Sequence, residues 1–213
     1  MTTESIAIRP AAPTDVAAIV SVHLESFPGF FLTFLGPRFL NVLYRTTLQQ
    51  PDAIGFVAVA KPACVIGFVI GVTLQASLYR RLISQHLIAF AWASLGAVLR
   101  SPTILPRLLR AFGRSAEATE QASDCLLMSI AVHPSAQGQY AGADLVHSFL
   151  TEARQRGARA VSLTTDRNGN DRVNHFYQSL GFTLDRTFVT AEGRAMNEYI
   201  IDLTGRVPGR EEE

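Results

Sequence analysis

The run Leu126-Leu127-Met128-Ser129-Ile130-Ala131-Val132 constrains the fold more than any other stretch of this chain. All of it but Ser129 is apolar, it is too short for a buried helix, and a glycine-bearing loop follows it at once. Such a run suits a central strand buried on both faces. Beyond the loop, Leu145, Val146, Phe149, Leu150 and Ala153 keep helical spacing, which predicts a helix from about Gly142 to Arg156 with Gly157 as its C-terminal cap. Strand, loop and helix in that order form an α/β unit, and the rest of the chain reads around it.

Upstream, Ser5 to Arg9 is a short strand, and Thr14 or Asp15 stands near the start of a helix. That helix carries Val16, Ile19, Val20, His23 and Phe27 on one face until Pro28-Gly29 stops it. Gly36-Pro37 opens a second helix with Phe39, Leu40 and Leu43 inward. Ala53 to Ala60 and Cys64 to Leu74 read as an antiparallel hairpin. Downstream come a strand at Ala160 to Thr164, a helix at Asn170 to Leu180 closed by Gly181, and strands at Thr183 to Thr190 and Met196 to Leu203. Residues 75–123 break the rhythm and read as a helical insertion between two neighbouring strands. The expected organisation is one domain over residues 1–204, with that insertion and a polar tail at 205–213.

Composition narrows the class. A chain of 213 residues suits one domain that buries roughly 70% of its unfolded surface. Hydrophobic content of 48% against 17% charged excludes a disordered or collagen-like chain. A net charge of +1 gives no electrostatic reason to expect a nucleic-acid partner. Cys64 and Cys125 each adjoin strand-like apolar residues and read as buried thiols of a reducing compartment. No zinc spacing is visible, so no metal is expected. Met1 to Arg9 carries Glu4 and lacks an apolar core, which speaks against a signal peptide and for a cytoplasmic protein.

Two stretches carry chemistry. In Val132-His133-Pro134-Ser135-Ala136-Gln137-Gly138-Gln139-Tyr140-Ala141-Gly142-Ala143, a strand turns through a loop into a helix. The first amides of a helix lack internal partners and carry the positive end of its dipole. A loop whose glycines let a ligand approach such amides makes an anion site, usually for phosphate. In Asn170-Asp171-Arg172-Val173-Asn174-His175-Phe176-Tyr177, the asparagine and the tyrosine stand two helical turns apart and share a face. Phe176 and Leu180 are expected on another face, toward the core.

Together these stretches resemble the GNAT superfamily of acyl-CoA-dependent N-acetyltransferases. The strand–loop–helix stretch is similar to its pyrophosphate motif, Val-x-Pro and then Gln/Arg-x-x-Gly-x-Gly/Ala. The stretch from Asn170 is similar to its Asn-x-x-Ala-x-x-Phe-Tyr-x-x-x-Gly-Phe motif, with Val173 at the alanine position. Ile8-Arg9-Pro10, Thr14-Asp15 and Tyr199-Ile200-Ile201-Asp202-Leu203 also resemble family members, so the resemblance covers about Ser5 to Leu74 and Cys125 to Leu203. It implies a GNAT-like mixed, mostly antiparallel sheet flanked by helices. Acetyl-CoA would bind as acyl donor between two splayed strands. Its pantetheine would pair with Ile130, Ala131 and Val132, and its pyrophosphate would sit on amides from Gln137 through Gly138, Gln139, Tyr140, Ala141 and Gly142 to Ala143. Asn170 would hydrogen-bond the pantetheine. Tyr177 would stand near the thioester sulfur, where a neutral phenol can protonate the leaving thiolate. Tyr140 occupies the position of the motif's usual first glycine. The simplest expectation is a right-handed helical Tyr140 with its ring turned outward.

The resemblance implies transfer to an amine, on a small molecule, an amino sugar or a peptide, without naming it. Glu25, His23, Asp124 and His133 are candidate bases for that amine, and His23 and Glu25 are the candidate acceptor-site residues. His86, His147 and His175 read as surface residues. The alternative reading is a GNAT-fold binding protein that has lost catalysis, held at a membrane surface through 80–114. Residues 82–99 lack a charge, and arginines flank them. The 75–123 insertion is therefore a candidate for a lid over the acceptor, for a homodimer contact or for a peripheral membrane contact.

Overall fold

In the computed structural model, which describes residues 6–60, 63–73, 89–90, 92–95, 123–138 and 140–205, the β-rich runs build one seven-stranded sheet. The strands are β1 (Ala7–Pro10), β2 (Ala53–Ala60), β3 (Cys64–Thr73), β4 (Cys125–Val132), β5 (Ala160–Asp166), β6 (Thr183–Val189) and β7 (Ala195–Asp202). Their order across the sheet is β1-β2-β3-β4-β5-β7-β6, and every neighbouring pair is antiparallel except β4 with β5. The expected mixed, mostly antiparallel sheet with flanking helices is therefore present.

The helices are α1 (Val16–Ser26), α2 (Phe31–Leu35), α3 (Pro37–Leu48), α4 (Ala141–Gln155) and α5 (Asp171–Ser179). A short 3-10 turn, Pro13–Asp15, leads into α1. There the Asp15 carboxylate accepts from the Ala12 amide at 2.8 Å and is gripped by both Arg9 nitrogens at 2.7 and 2.8 Å. Helix α4 covers one face of the sheet: Leu145, Val146, Phe149, Leu150 and Ala153 pack on Ile54, Val69, Leu127 and Leu163. Helices α1 and α3 cover the other face, bringing Val16, Ile19, Val20, Leu40 and Tyr44 onto Val57, Phe68 and Ile70. Strand β3 supplies residues to both layers, because alternate side chains of a strand point to opposite faces.

Leu126 to Val132 lies in β4, the middle strand of the seven as expected, but its expected burial on both faces is corrected. The strand buried on both faces is β3 from Gly67 to Val72, whereas Leu126, Met128, Ser129, Ile130 and Val132 of β4 are only half-buried. The cause is in the pairing. β4 meets β5 only at Cys125↔Val161 and Leu126↔Ser162 and then diverges. On its other edge Ile70 pairs with Ser129 and Gly71 with Leu127, so Met128 is an extra residue in a bulge. A bulge bends its strand and re-aims side chains. β4 thus turns away from β5 and opens the sheet. A second correction concerns the cysteines: Cys125 is buried, but Cys64 opens β3 at the hairpin end and is exposed.

Most of 75–123 lies outside the described residues, as do 206–213 of the tail. Within the insertion, residues 89, 90 and 92–95 are helical. Phe90 is buried against Phe39 of α3, ring centroids 5.3 Å apart, in a small cluster with Leu35. Trp92, by contrast, is 72% exposed. Among the described residues no helix is long and apolar enough to cross a membrane.

Candidate functional site

The opening between β4 and β5 is the floor of a cleft of about 1230 Å³. Pockets for one small ligand usually hold ≈ 300–1,000 Å³, so this one has room for a long ligand or for two. Its walls are the half-buried side of β4, the loop into α4, the start and inner face of α5, and the end of α1 with α2. Ile130, Ala131 and Val132 line it from β4, Gln137, Gly138, Tyr140, Ala141, Gly142 and Ala143 from the loop and helix start, and Asn170 and Tyr177 from α5. Two sequence-distant stretches are thereby brought to one cavity. Gln139 lies outside the described residues.

The loop is shaped for an anion. Gly138 has φ +86°, and a Cβ there would meet nothing within 4 Å. The amides at the start of α4 lack partners within the helix and open on the cleft. Tyr140 departs from the expected right-handed form: its φ is 60° and ψ −6°, the left-handed region. The chain has to reverse its path to enter α4, and Tyr140 makes the bend that a glycine makes at lower cost. Its ring does turn outward, 80% exposed at the mouth of the cleft.

Helix α5 packs Phe176 and Leu180 against the core as expected, and buries more than that face. Asn174 and Tyr177 are the buried residues, while Phe176 and Leu180 are half-buried and line the cleft. Asn174 explains this, and its signal was missed. Its Oδ1 accepts from Thr165 Oγ1 at 2.6 Å and from Asn197 Nδ2 at 3.4 Å, and its Nδ2 donates to the Asp166 carbonyl at 3.2 Å. These bonds tie α5 to β5 and β7. Tyr177 is 5% exposed, its ring 5.6 Å from Phe182 and 5.2 Å from Phe176. Burial pushes its phenol above the usual tyrosine range, so the proton is held at neutral pH. Among the described residues neither its hydroxyl nor the Asn170 side chain has a hydrogen-bond partner.

The candidate bases separate by place. His23 lies on the cleft wall. Glu25 lies outside the lining and holds His133 Nε2 at 2.6 Å, while His133 Nδ1 sits 2.7 Å from Ser135 Oγ. Asp124 is bound to Arg159 at 3.0 Å, and that guanidinium holds its carboxyl below the usual range. His147 and His175 are exposed, and His86 lies outside the described residues. Sequence reading also missed the rim. Arg194 of the β6–β7 hairpin donates to both Asp166 oxygens at 2.7 Å and stands 5.7 Å from the Phe30 ring centre. Among the described residues no group of three His, Cys, Asp or Glu side chains could hold a metal ion.

Comparison with known proteins agrees with this geometry. The family model described as "Acetyltransferase (GNAT) family" matches residues 18–182. No curated protein matches the chain in sequence. In structure the chain is similar to an N-acetyltransferase from Staphylococcus aureus Mu50, with 17% identity, TM-score 0.59 and 93% of this chain covering 99% of that one. It is similar to the ribosomal-protein-S18-alanine N-acetyltransferase from Escherichia coli, with 15% identity, TM-score 0.58 and 98% of this chain covering 99% of that one. A third similar structure is Arabidopsis thaliana NAA60 in complex with acetyl-CoA, with 15% identity, TM-score 0.57 and 94% of this chain covering all, 100%, of that one.

Proposed function

We propose that this chain, which belongs to the acetyltransferase (GNAT) family, works in the cytoplasm as an N-acetyltransferase that moves an acetyl group from acetyl-CoA to a primary amine. The observation that carries the reading is the opening of β4 from β5 onto the start of α4, with Asn170 and Tyr177 on the same cleft. The amides at the start of α4 would hold the pyrophosphate, since that is where unpaired donors and the positive helix end coincide. Half-exposed β4 would pair with the pantetheine amides through the backbone of Ile130, Ala131 and Val132, and Asn170 would add a hydrogen bond from the far side. The thioester places the acetyl carbonyl against the strand amides beside the Met128 bulge, which can hold the developing oxyanion. As the amine lone pair forms the new C–N bond, the C–S bond breaks and its electron pair stays on sulfur. Tyr177 Oη then gives its proton to that sulfur.

Tyr140 at a motif glycine position is the one sequence feature that favours a binding protein without catalysis. Its outward ring leaves the amides of Ala141, Gly142 and Ala143 open, which supports the enzyme instead. Titration calorimetry with acetyl-CoA, followed by free-thiol release over a panel of amines, tests both. Binding with amine-dependent thiol release is expected, and Tyr177→Phe should lower turnover by roughly 10²-fold while leaving acetyl-CoA affinity unchanged. Binding without thiol release from any amine would return the chain to the binding class.

A further inference from the structure

Among the described residues, two buried side-chain atoms lack a hydrogen-bond partner, Thr47 Oγ1 and His23 Nε2. Only His23 is on the cleft wall. The residue is 3% exposed, and a buried polar atom left unpaired is destabilising. Such an atom calls for a reason, and a ligand that completes it is one. The other ring nitrogen is already engaged: Nδ1 lies 2.6 Å from Tyr44 Oη, which lies 3.1 Å from Ser129 Oγ beside the β4 bulge. The chain of contacts therefore runs from α1 through α3 to the floor of the cleft.

The surroundings set the chemistry. The Phe27 ring is 4.8 Å from the imidazole, and Phe30 is 5.3 Å from Phe27, edge to face. Phe31 and Leu32 continue this wall. The titratable group in contact with His23 is Tyr44, whose phenol burial keeps protonated. At the rim, Asp166 and Arg194 neutralise each other. Burial holds the His23 imidazole neutral, with its pKa pulled down to about 4. Among the described residues the carboxylates on the cleft lining are Asp166 and Glu192, and neither is in contact with His23, so an ammonium ion there would be stripped of water, whereas a neutral amine meets a nitrogen lone pair and an aromatic wall.

Resting on the acetyltransferase reading above, we propose that His23 Nε2 receives the amino group of the acceptor, and that the acceptor is a primary amine on a flat apolar body lying against Phe27 and Phe30. In this arrangement Nδ1–H donates to Tyr44 Oη and the Tyr44 hydroxyl donates to Ser129 Oγ, which leaves Nε2 as an acceptor. As the amine nitrogen bonds to the acetyl carbon, its N–H bond breaks and the proton passes to Nε2. Sulfur leaves with the C–S electron pair and takes a proton from Tyr177, and solvent returns one proton from His23 to Tyr177. Atoms and charge balance as amine plus thioester giving amide plus thiol.

The test uses 2-phenylethylamine and, as the polar control, glucosamine. With ¹⁵N-histidine in the full chain and no acetyl-CoA present, 2-phenylethylamine should move the His23 Nε2 resonance and glucosamine should not. By calorimetry the aromatic amine should bind at least tenfold tighter than glucosamine. His23→Gln should weaken it at least tenfold and lower kcat by roughly 10²-fold, with acetyl-CoA affinity unchanged. An unmoved Nε2 signal, equal binding of the two amines, or equal binding to the native chain and His23→Gln would overturn the assignment. The resonance is read on the native chain, so a variant that fails to fold does not remove the test. A moved Nε2 signal with no thiol release from any amine would uphold the subsite and sink the enzyme reading instead.

Discussion

Tyr140 shows what a single residue can hide. Its identity at a motif glycine position is plain in the sequence, but its handedness is not, because the angle is set by how the chain must turn from Gly138 into α4. A non-glycine residue in the left-handed region costs roughly 1–2 kcal/mol, and a glycine placed there returns part of that through its looser unfolded chain. Tyr140→Gly should therefore stabilise the protein by about 1 kcal/mol, or roughly 2–4 °C in Tm for a chain of this size. A lowered Tm by calorimetry would mean that the exposed ring makes contacts worth more than the strain. Asn170, Tyr177 and Gly138 were legible because helical spacing and glycine chemistry act over a few residues. His23 was only half legible. Its place on the inward face of α1 followed from periodicity, but its partner Tyr44 is 21 positions away and Ser129 further still. His23 also makes acid stability readable. The unfolded imidazole titrates near 6.5 and the folded one near 4, so the unfolded chain binds more protons in between. Stability should be full above about pH 6.5 and fall by about 2 kcal/mol by pH 5. Urea unfolding at pH 7 and pH 5 should show that loss, and His23→Gln should flatten most of it. A native chain equally stable at both values would refute the buried neutral imidazole.

At the scale of elements, the sequence identified which runs are strands and that Leu126 to Val132 is the central one, but not which strand is closed on both faces. Leu126 to Val132 is the more continuous apolar run, yet β3 is the one enclosed on both sides. Composition could not reveal this, because the residues that β4 leaves half-open are as apolar as those that β3 buries. The Met128 bulge is invisible too, since it depends on how two strands register and not on either strand alone. The close approach behind it centres on Gly71. A Cβ there would stand 2.2 Å from the Leu126 carbonyl oxygen and 2.5 Å from Phe149 Cζ. Neither can move freely, one being backbone and the other a fully buried ring of α4. Gly71→Ala should cost about 2 kcal/mol through overpacking, read as a lower urea midpoint at unchanged m. A midpoint within error of the native one would show that α4 and β4 can shift apart. Helix α5 carries a related lesson: its amphipathic pattern placed Phe176 against the core, where it packs, but did not show that Asn174 is buried beside Tyr177 or that Phe176 also borders the cleft.

Across the whole molecule, the fold and the cleft are joined by one device, the parting of β4 from β5. It converts the middle of the sheet into the floor of the cleft and sets the start of α4 over it. A ligand that binds only the folded chain stabilises it by RT ln(1 + [L]/Kd), which is about 2.7 kcal/mol at 100 times Kd. Acetyl-CoA at that excess should raise Tm by roughly 5–10 °C. Gly142 separates the roles of fold and site. A Cβ at Gly142 would meet Phe176 at 3.5 Å and Val132 at 3.8 Å, both ordinary contacts, so the protein itself has room for it. Alanine is also the better residue in a helix, by about 1 kcal/mol. Gly142→Ala should thus leave the ligand-free Tm equal or higher, because the space it fills is needed only by something lying against the first turn of α4. If that occupant is the pyrophosphate, the same variant should lose most of the acetyl-CoA shift, while dephosphorylated pantetheine, which does not reach the first turn, should bind both chains alike. An acetyl-CoA shift of full size in Gly142→Ala would move the pyrophosphate off the start of α4 and with it the orientation proposed for the donor.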